Sequence, residues 1–227
     1  MDASLTAALS VGFLLGVRHA TDADHIAAVS TFVSQDRSLA RSCLLGTFWG
    51  AGHTAALFAA GLATIGFRMT ISPAMERALE TLVALVLILL GGHVLLRTIG
   101  TLALHRHEHA HGEEPPHVHI GGDLAHSHVH LFRAGRRPFL VGLLHGMAGS
   151  AALMLLVLAT IPSPLAGLLY IAVFGVGSTA GMLALSGLIA VPFVLTAKRW
   201  VHANTVLRVG AGLASVVLGS WLVYAQP

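Results

Sequence analysis

"RHATDADHIAAV", residues 18–29, interrupts an apolar run that starts as "SVGFLLGV" (10–17) and resumes as "IAAVSTFV" (26–33). Arg18, His19, Asp22, Asp24 and His25 crowd into eight positions of what otherwise reads as a hydrocarbon-spanning segment. A charged side chain at the centre of such a helix costs about 2.5–3.5 kcal/mol, so three left facing lipid would cost roughly 8–10 kcal/mol. They must be paired, hydrated or bound to a cation.

The rest of the chain supports the membrane reading. Of its 227 residues, 55% are hydrophobic and only 10% charged, against about 25% charged in a soluble domain. Six apolar stretches stand out, at 4–33, 42–67, 78–99, 138–161, 164–195 and 204–225, each long enough for the roughly 20 residues a span needs. The expected fold is an all-α integral membrane protein of six transmembrane helices. The first and fifth stretches are long enough to be tilted or broken at the midplane, and "FGVGSTAG" (174–181) favours a break. Residues 1–17 lack the basic start of a signal peptide and read as part of the first span. Cys43 is the single cysteine, which excludes an intrachain disulfide and a cysteine-based zinc cluster. A net charge of +3 without a basic, aromatic-laced stripe excludes nucleic acid as a partner.

Self-comparison reveals a repeat. "FLLGVRH" (13–19) matches "FLVGLLH" (139–145), "GAGHT" (50–54) matches "GVGST" (175–179), and "LGGHVLL" (90–96) matches "LGSWLVY" (218–224). Residues 1–99 and 138–227 thus form two three-helix repeats around a loop at 100–137. Three spans per half force the halves into opposite orientations, a 3+3 inverted repeat with its substrate site near the midplane. Lys and Arg distribute unevenly: Arg37, Arg41, Arg97, Arg106, Arg133, Arg136, Arg137, Lys198, Arg199 and Arg208 fall on one side, Arg68 and Arg77 on the other. The first side is expected in the cytoplasm, with both termini outside. Trp200, Trp221 and Tyr224 fit interfacial anchors; Trp49 does not.

On a continuous helix His19, Asp22 and His25 share one arc, whereas Asp24 points elsewhere, toward a ligand to orient or toward Arg18. Imidazole with supporting carboxylate suits a divalent first-row cation; a buried ion pair of Arg18 with Asp22 or Asp24 is the structural alternative. Other spans add His53, His93 and His145, the last being the repeat mate of His19. Each could equally be a hydrogen-bonded bundle histidine. Ser150, Ser178 and Thr179 either line a path or bond their own helix carbonyls. Met147 and Met182 read as packing residues rather than soft ligands. Between the halves lie His105, His107, His109, His111, His117, His119, His126, His128 and His130, a loop suited to exchangeable metal binding.

"RHATDADHI" resembles the signature of the nickel/cobalt transporter family (NiCoT, within the wider NicO group). The match covers His19, Asp22, Asp24 and His25, and "FWGAGHTAAL" (48–57) is similar to the family's next Gly-His-Ser/Thr span, carrying over His53. "HGMAGSAAL" (145–153) and "FGVGSTAGM" (174–182) look like later signatures of the short six-span branch, which includes urease-accessory-type nickel permeases. Longer importers of the family carry acidic residues where this chain has Gly149, Ser150, Ser178 and Thr179. The resemblance implies transport of Ni2+ or Co2+ across a bacterial inner membrane and no prosthetic group. Partners would be the metal ion, membrane lipid, and cytoplasmic metallochaperones or metalloenzyme maturation proteins. The histidine loop also resembles family members that export nickel and cobalt, so efflux stands beside import.

Two other classes fit less well. H-E-x-x-H is absent, and the last span has no histidine to act as base, which argues against an intramembrane hydrolase. A haem carrier ligated by His53, His93 or His145 would not need the two aspartates. No G-x-x-x-x-G-K-S/T loop occurs, so transport is expected to be secondary.

Overall fold

The structure, a computed structural model, describes residues 3–67, 72–104, 130–147, 161 and 163–225. These form helices α1 (Ala3–His19), α2 (Ala23–Val33), α3 (Leu39–Phe67), α4 (Pro73–Leu104), α5 (His130–His145), α6 (Pro164–Arg199) and α7 (Val201–Tyr224), with no strand among the described residues. Stretches in α3, α4, α6 and α7 are long and apolar enough to cross a membrane, and Leu5–His19 is a shorter apolar helix. Their outer faces carry exposed leucines and valines such as Leu89, Leu96, Leu188 and Val217. That pattern suits lipid, since apolar side chains have nothing to gain by turning inward from hydrocarbon.

Both expected midplane irregularities have an outcome. The first apolar stretch is broken: α1 stops at His19, and α2 restarts at Ala23 after a turn in which Thr21 N donates to Arg18 O (2.9 Å) and Asp22 N to His19 O (3.1 Å). The fifth is not broken. α6 runs unbroken through "FGVGSTAG", because its glycines serve close helix contact instead. A Cβ at Gly177 would strike the Phe13 backbone, and one at Gly181 would lie 2.9 Å from Val17 O. Helix also occupies 101–104 and 130–137, at both edges of the stretch expected as loop, and residues 105–129 lie outside the described structure. The expected fourth span is described only as far as Met147.

Packing is reciprocal between the matched segments. α3 packs on α6 and α4 on α7, while α1 packs on α6 as α5 packs on α3. Gly16 abuts the Phe174 carbonyl and Gly142 the Trp49 carbonyl; Gly177 abuts the Phe13 carbonyl and Gly52 that of Phe139. The same exchange recurs where Gly91 meets Gly212 O and Gly219 meets Ala84 O. Thr54 and Thr179, themselves repeat counterparts, share a 3.0 Å hydrogen bond between α3 and α6. Small residues let these backbones approach, which is how helices associate where hydrophobic burial offers nothing. The buried core between them holds Trp49, Val29, Val33, Leu87, Met182 and Ala190, with the α2 face His25, Ala28 and Val29 turned toward it.

Candidate metal centre

The turn at residues 20–22 explains how "RHATDADHI" can hold so many polar groups. Breaking the helix ends the single-arc geometry expected of a continuous one and lets both carboxylates reach imidazoles. Asp22 is the N-cap residue of α2, yet its side chain makes no capping bond. Its Oδ2 instead meets His19 Nδ1 at 2.8 Å. Asp24, in the first turn of α2, gains from the positive end of the helix. Its Oδ1 accepts from His25 N (2.9 Å) and lies 3.1 Å from His25 Nδ1, and its Oδ2 lies 2.8 Å from His145 Nε2. One carboxylate therefore ties α2 to α5.

Four imidazoles meet here. His19 ends α1, His145 ends α5, His25 opens α2, and His53 lies midway along α3. His25 and His53 are fully buried, His145 is 2% exposed and His19 8%. Ring centroids are 4.6 Å apart for His19–His25, 4.9 Å for His19–His53 and 4.5 Å for His25–His145. With Nδ1 donating to a carboxylate, His19 and His25 are each left with a lone pair on Nε2. His19 Nε2 faces His53 Nε2 at 3.0 Å, and His25 Nε2 has no hydrogen-bond partner. Two ligand sets with converging atoms result, His19–His25–His53 and Asp24–His25–His145, sharing His25. Buried imidazole nitrogens without partners, oriented by carboxylates, are the arrangement by which proteins present ligands to a transition metal.

The other candidate residues lie outside this cluster. Arg18 is exposed, and the ion pairs of Asp22 and Asp24 run to histidines rather than to Arg18. His93 is exposed on α4. Ser178 is buried on α6 without a hydrogen-bond partner for its hydroxyl, and Thr179 bonds Thr54. Met182 is buried in the core, whereas Met147 is 45% exposed. Ser150 and the loop histidines from His105 to His128 lie outside the described residues, and His130 opens α5.

Trp49 is the residue that sequence reading passed over. Only 1% exposed, it stacks on His25 (centroids 5.3 Å, planes 21° apart) and meets His145 edge-on at 5.7 Å. Its spacing of four residues from His53 was the available signal, because i and i+4 share a helix face.

Comparison with known proteins gives the arrangement a context. Residues 5–224 match the profile of the NicO family, described as high-affinity nickel-transport protein. The chain is similar to the urease accessory protein UreH of Bacillus sp. (strain TB-90), with 36% identity over 224 residues covering 97% of this chain and 92% of that protein. It is also similar to the chloroplast protein FOR GROWTH AND FERTILITY 2 of Arabidopsis thaliana, 26% identical over 218 residues, covering 91% of this chain and 55% of the plant protein. No solved structure matches.

Proposed function

The chain belongs to the NicO family of nickel-transport proteins, and on that footing we propose that it imports Ni2+, with Co2+ as a second cargo, through the His19–His25–His53 cluster. It is a multi-pass membrane transport protein and not an enzyme. The observation that carries the proposal is the convergence of buried, carboxylate-oriented imidazoles inside the helix bundle. Two nitrogens at about 2.0–2.1 Å from one ion, set at a right angle, stand roughly 2.9 Å apart. The 3.0 Å between His19 Nε2 and His53 Nε2 suits such a neighbouring pair of ligands. Asp22 and Asp24 orient the rings and offset the ion's charge, and His145 completes the site from the opposite half through Asp24.

The cargo crosses as the halves, 1–99 and 138–227, rock against each other as a 3+3 inverted repeat of six spans. The reciprocal glycine contacts all run between these halves, so the surface that such a movement shifts is lined by small residues rather than by interlocked large side chains. The excess of Lys and Arg supports a cytoplasmic position, in a bacterial cell, for the 34–38 connection and the histidine loop, with the chain ends outside. There the loop buffers arriving metal for maturation proteins. The family description as high-affinity nickel-transport protein favours nickel over cobalt.

Uptake of radioactive nickel by cells stripped of their own carriers tests the proposal. The chain should raise uptake at nanomolar metal, and His19→Ala or His25→Ala should abolish it at unchanged membrane abundance. Lower accumulation with raised tolerance would mean efflux. Full transport by both variants would remove the cluster from the mechanism.

A further inference from the structure

A cavity of about 500 Å3 lies on the side of the cluster toward the 34–38 connection, between α2, α3, α4 and α5. Along α3 its wall includes Leu45, one turn before Trp49, and along α5 Val141, one turn before His145. It therefore starts about 6 Å before His145 along α5 and about 12 Å before His53 along α3, with Trp49 between on α3. Phe32 belongs to the wall and lies 6.3 Å from Trp49 between ring centroids, and Trp49 in turn stacks on His25. Phe32 and Trp49 thus form a chain of ring contacts from the cavity wall to His25. Gly142 of α5 lies close against Trp49, where a Cβ would strike its carbonyl oxygen and ring Cδ1.

The cavity's size suits a hydrated ion, although most of its lining is apolar, Phe32, Leu45, Leu90, Val94 and Val141 among it. Six waters occupy roughly 180 Å3 at liquid density, well within the space. Gln35, Asp36 and His93 offer oxygen and nitrogen, though Arg137 also lines it and Asp36 Oδ1 already accepts from the backbone N of Arg37 and Ser38. Such a lining is too dispersed to strip a cation of its water but can receive one still hydrated. A cation on this line would meet the cavity first and the buried imidazoles second.

We infer that this cavity is the hydrated-cation vestibule on the arginine-rich face and that Trp49 with Phe32 is the gate between it and the histidine site. The inference rests on the cluster being the transport site. Swinging the indole off His25 opens the chamber to the imidazoles and, in the same movement, frees the His25 ring to release its ligand. The stack closes the route when the site is exposed to the opposite face.

Two measurements test it, the first without any metal. In a Cys43→Ser background, Thr31→Cys or Val141→Cys should react with a charged, membrane-impermeant thiol reagent added on the arginine-rich face of oriented vesicles. Thr21→Cys, in the exposed turn, should react only from the opposite face. Cavity cysteines that react only with a membrane-permeant reagent would mean a lipid-filled pocket and overturn the vestibule. The second measures cation leak into proteoliposomes holding a metal-sensitive dye. Trp49→Ala should raise leak of nickel and manganese on the order of tenfold, the scale of one aromatic contact, whereas Trp49→Phe keeps the barrier. Phe32→Ala should act in the same direction if Trp49→Ala does not fold. Unchanged leak and ion selectivity in both alanine variants would overturn the gate while leaving the histidine site, tested by His19→Ala and His25→Ala, standing.

Discussion

Asp24→Asn separates a carboxylate that organises the proposed metal site from one that merely accompanies it. In the structure Asp24 accepts from His25 N at 2.9 Å and bridges His25 Nδ1 (3.1 Å) and His145 Nε2 (2.8 Å) with its two oxygens. Asparagine keeps the shape but has one accepting oxygen, and its NH2 must then face an imidazole N–H. One of the two rings has to turn or exchange its tautomer, and the lone pair aimed at the cation is lost from that ring. Removing such a supporting group typically lowers metal affinity 10–100-fold, or about 1.4–2.7 kcal/mol. Asp22 makes only the 2.8 Å contact to His19, and its side chain is 49% exposed against 27% for Asp24. Water can replace much of what Asp22→Asn removes, so that loss should stay below about tenfold. Nickel titration calorimetry on protein in nanodiscs reads both values, using a form lacking 105–129 so that the loop histidines do not bind the titrant. Asp24→Asn binding nickel within about threefold of its parent, or Asp22→Asn proving the more damaging, would refute this account of how the rings are held.

Two further tests follow from packing and composition. Gly142→Ala and Gly16→Ala push a methyl into the carbonyls of Trp49 and Phe174, so each should cost about 1–3 kcal/mol of stability by overpacking, read as lowered melting temperature in detergent. Gly100→Ala meets nothing within 4 Å and should be neutral or slightly stabilising through helix propensity; equal behaviour of all three would contradict the close-contact role. Deleting 105–129 should leave nickel uptake through the bundle measurable while removing most of the bound metal per chain and its loss below about pH 6, where imidazoles protonate. Complete loss of transport would contradict a buffering loop.

Much of this molecule was legible one residue at a time. The cost of charge in hydrocarbon marks "RHATDADHI" as a site whatever surrounds it, and apolar length marks the spans, because both depend on the chain's own chemistry against its solvent. The repeat matches, 13–19 with 139–145 above all, pointed to the paired histidines that end α1 and α5. Glycine patterns were ambiguous for a physical reason. A missing Cβ permits both a break and a close approach, and only the partner decides, so "FGVGSTAG" stayed helical against α1 while the break came at residues 20–22.

What no local pattern could reveal is which groups meet. His19 lies 3.0 Å from a histidine 34 positions away, and Asp24 reaches one 121 positions away. Arg18, the nearest cation in sequence to both aspartates, turns outward instead. Trp49 shares a helix face with His53, but that spacing alone does not reveal the stack on His25, which belongs to another helix. Sequence determined that polar groups interrupt an apolar run and that they require a partner. Tertiary structure decided which partners they are, since hydrogen bonds and ring contacts depend on distance in space, and helix packing alone sets that distance.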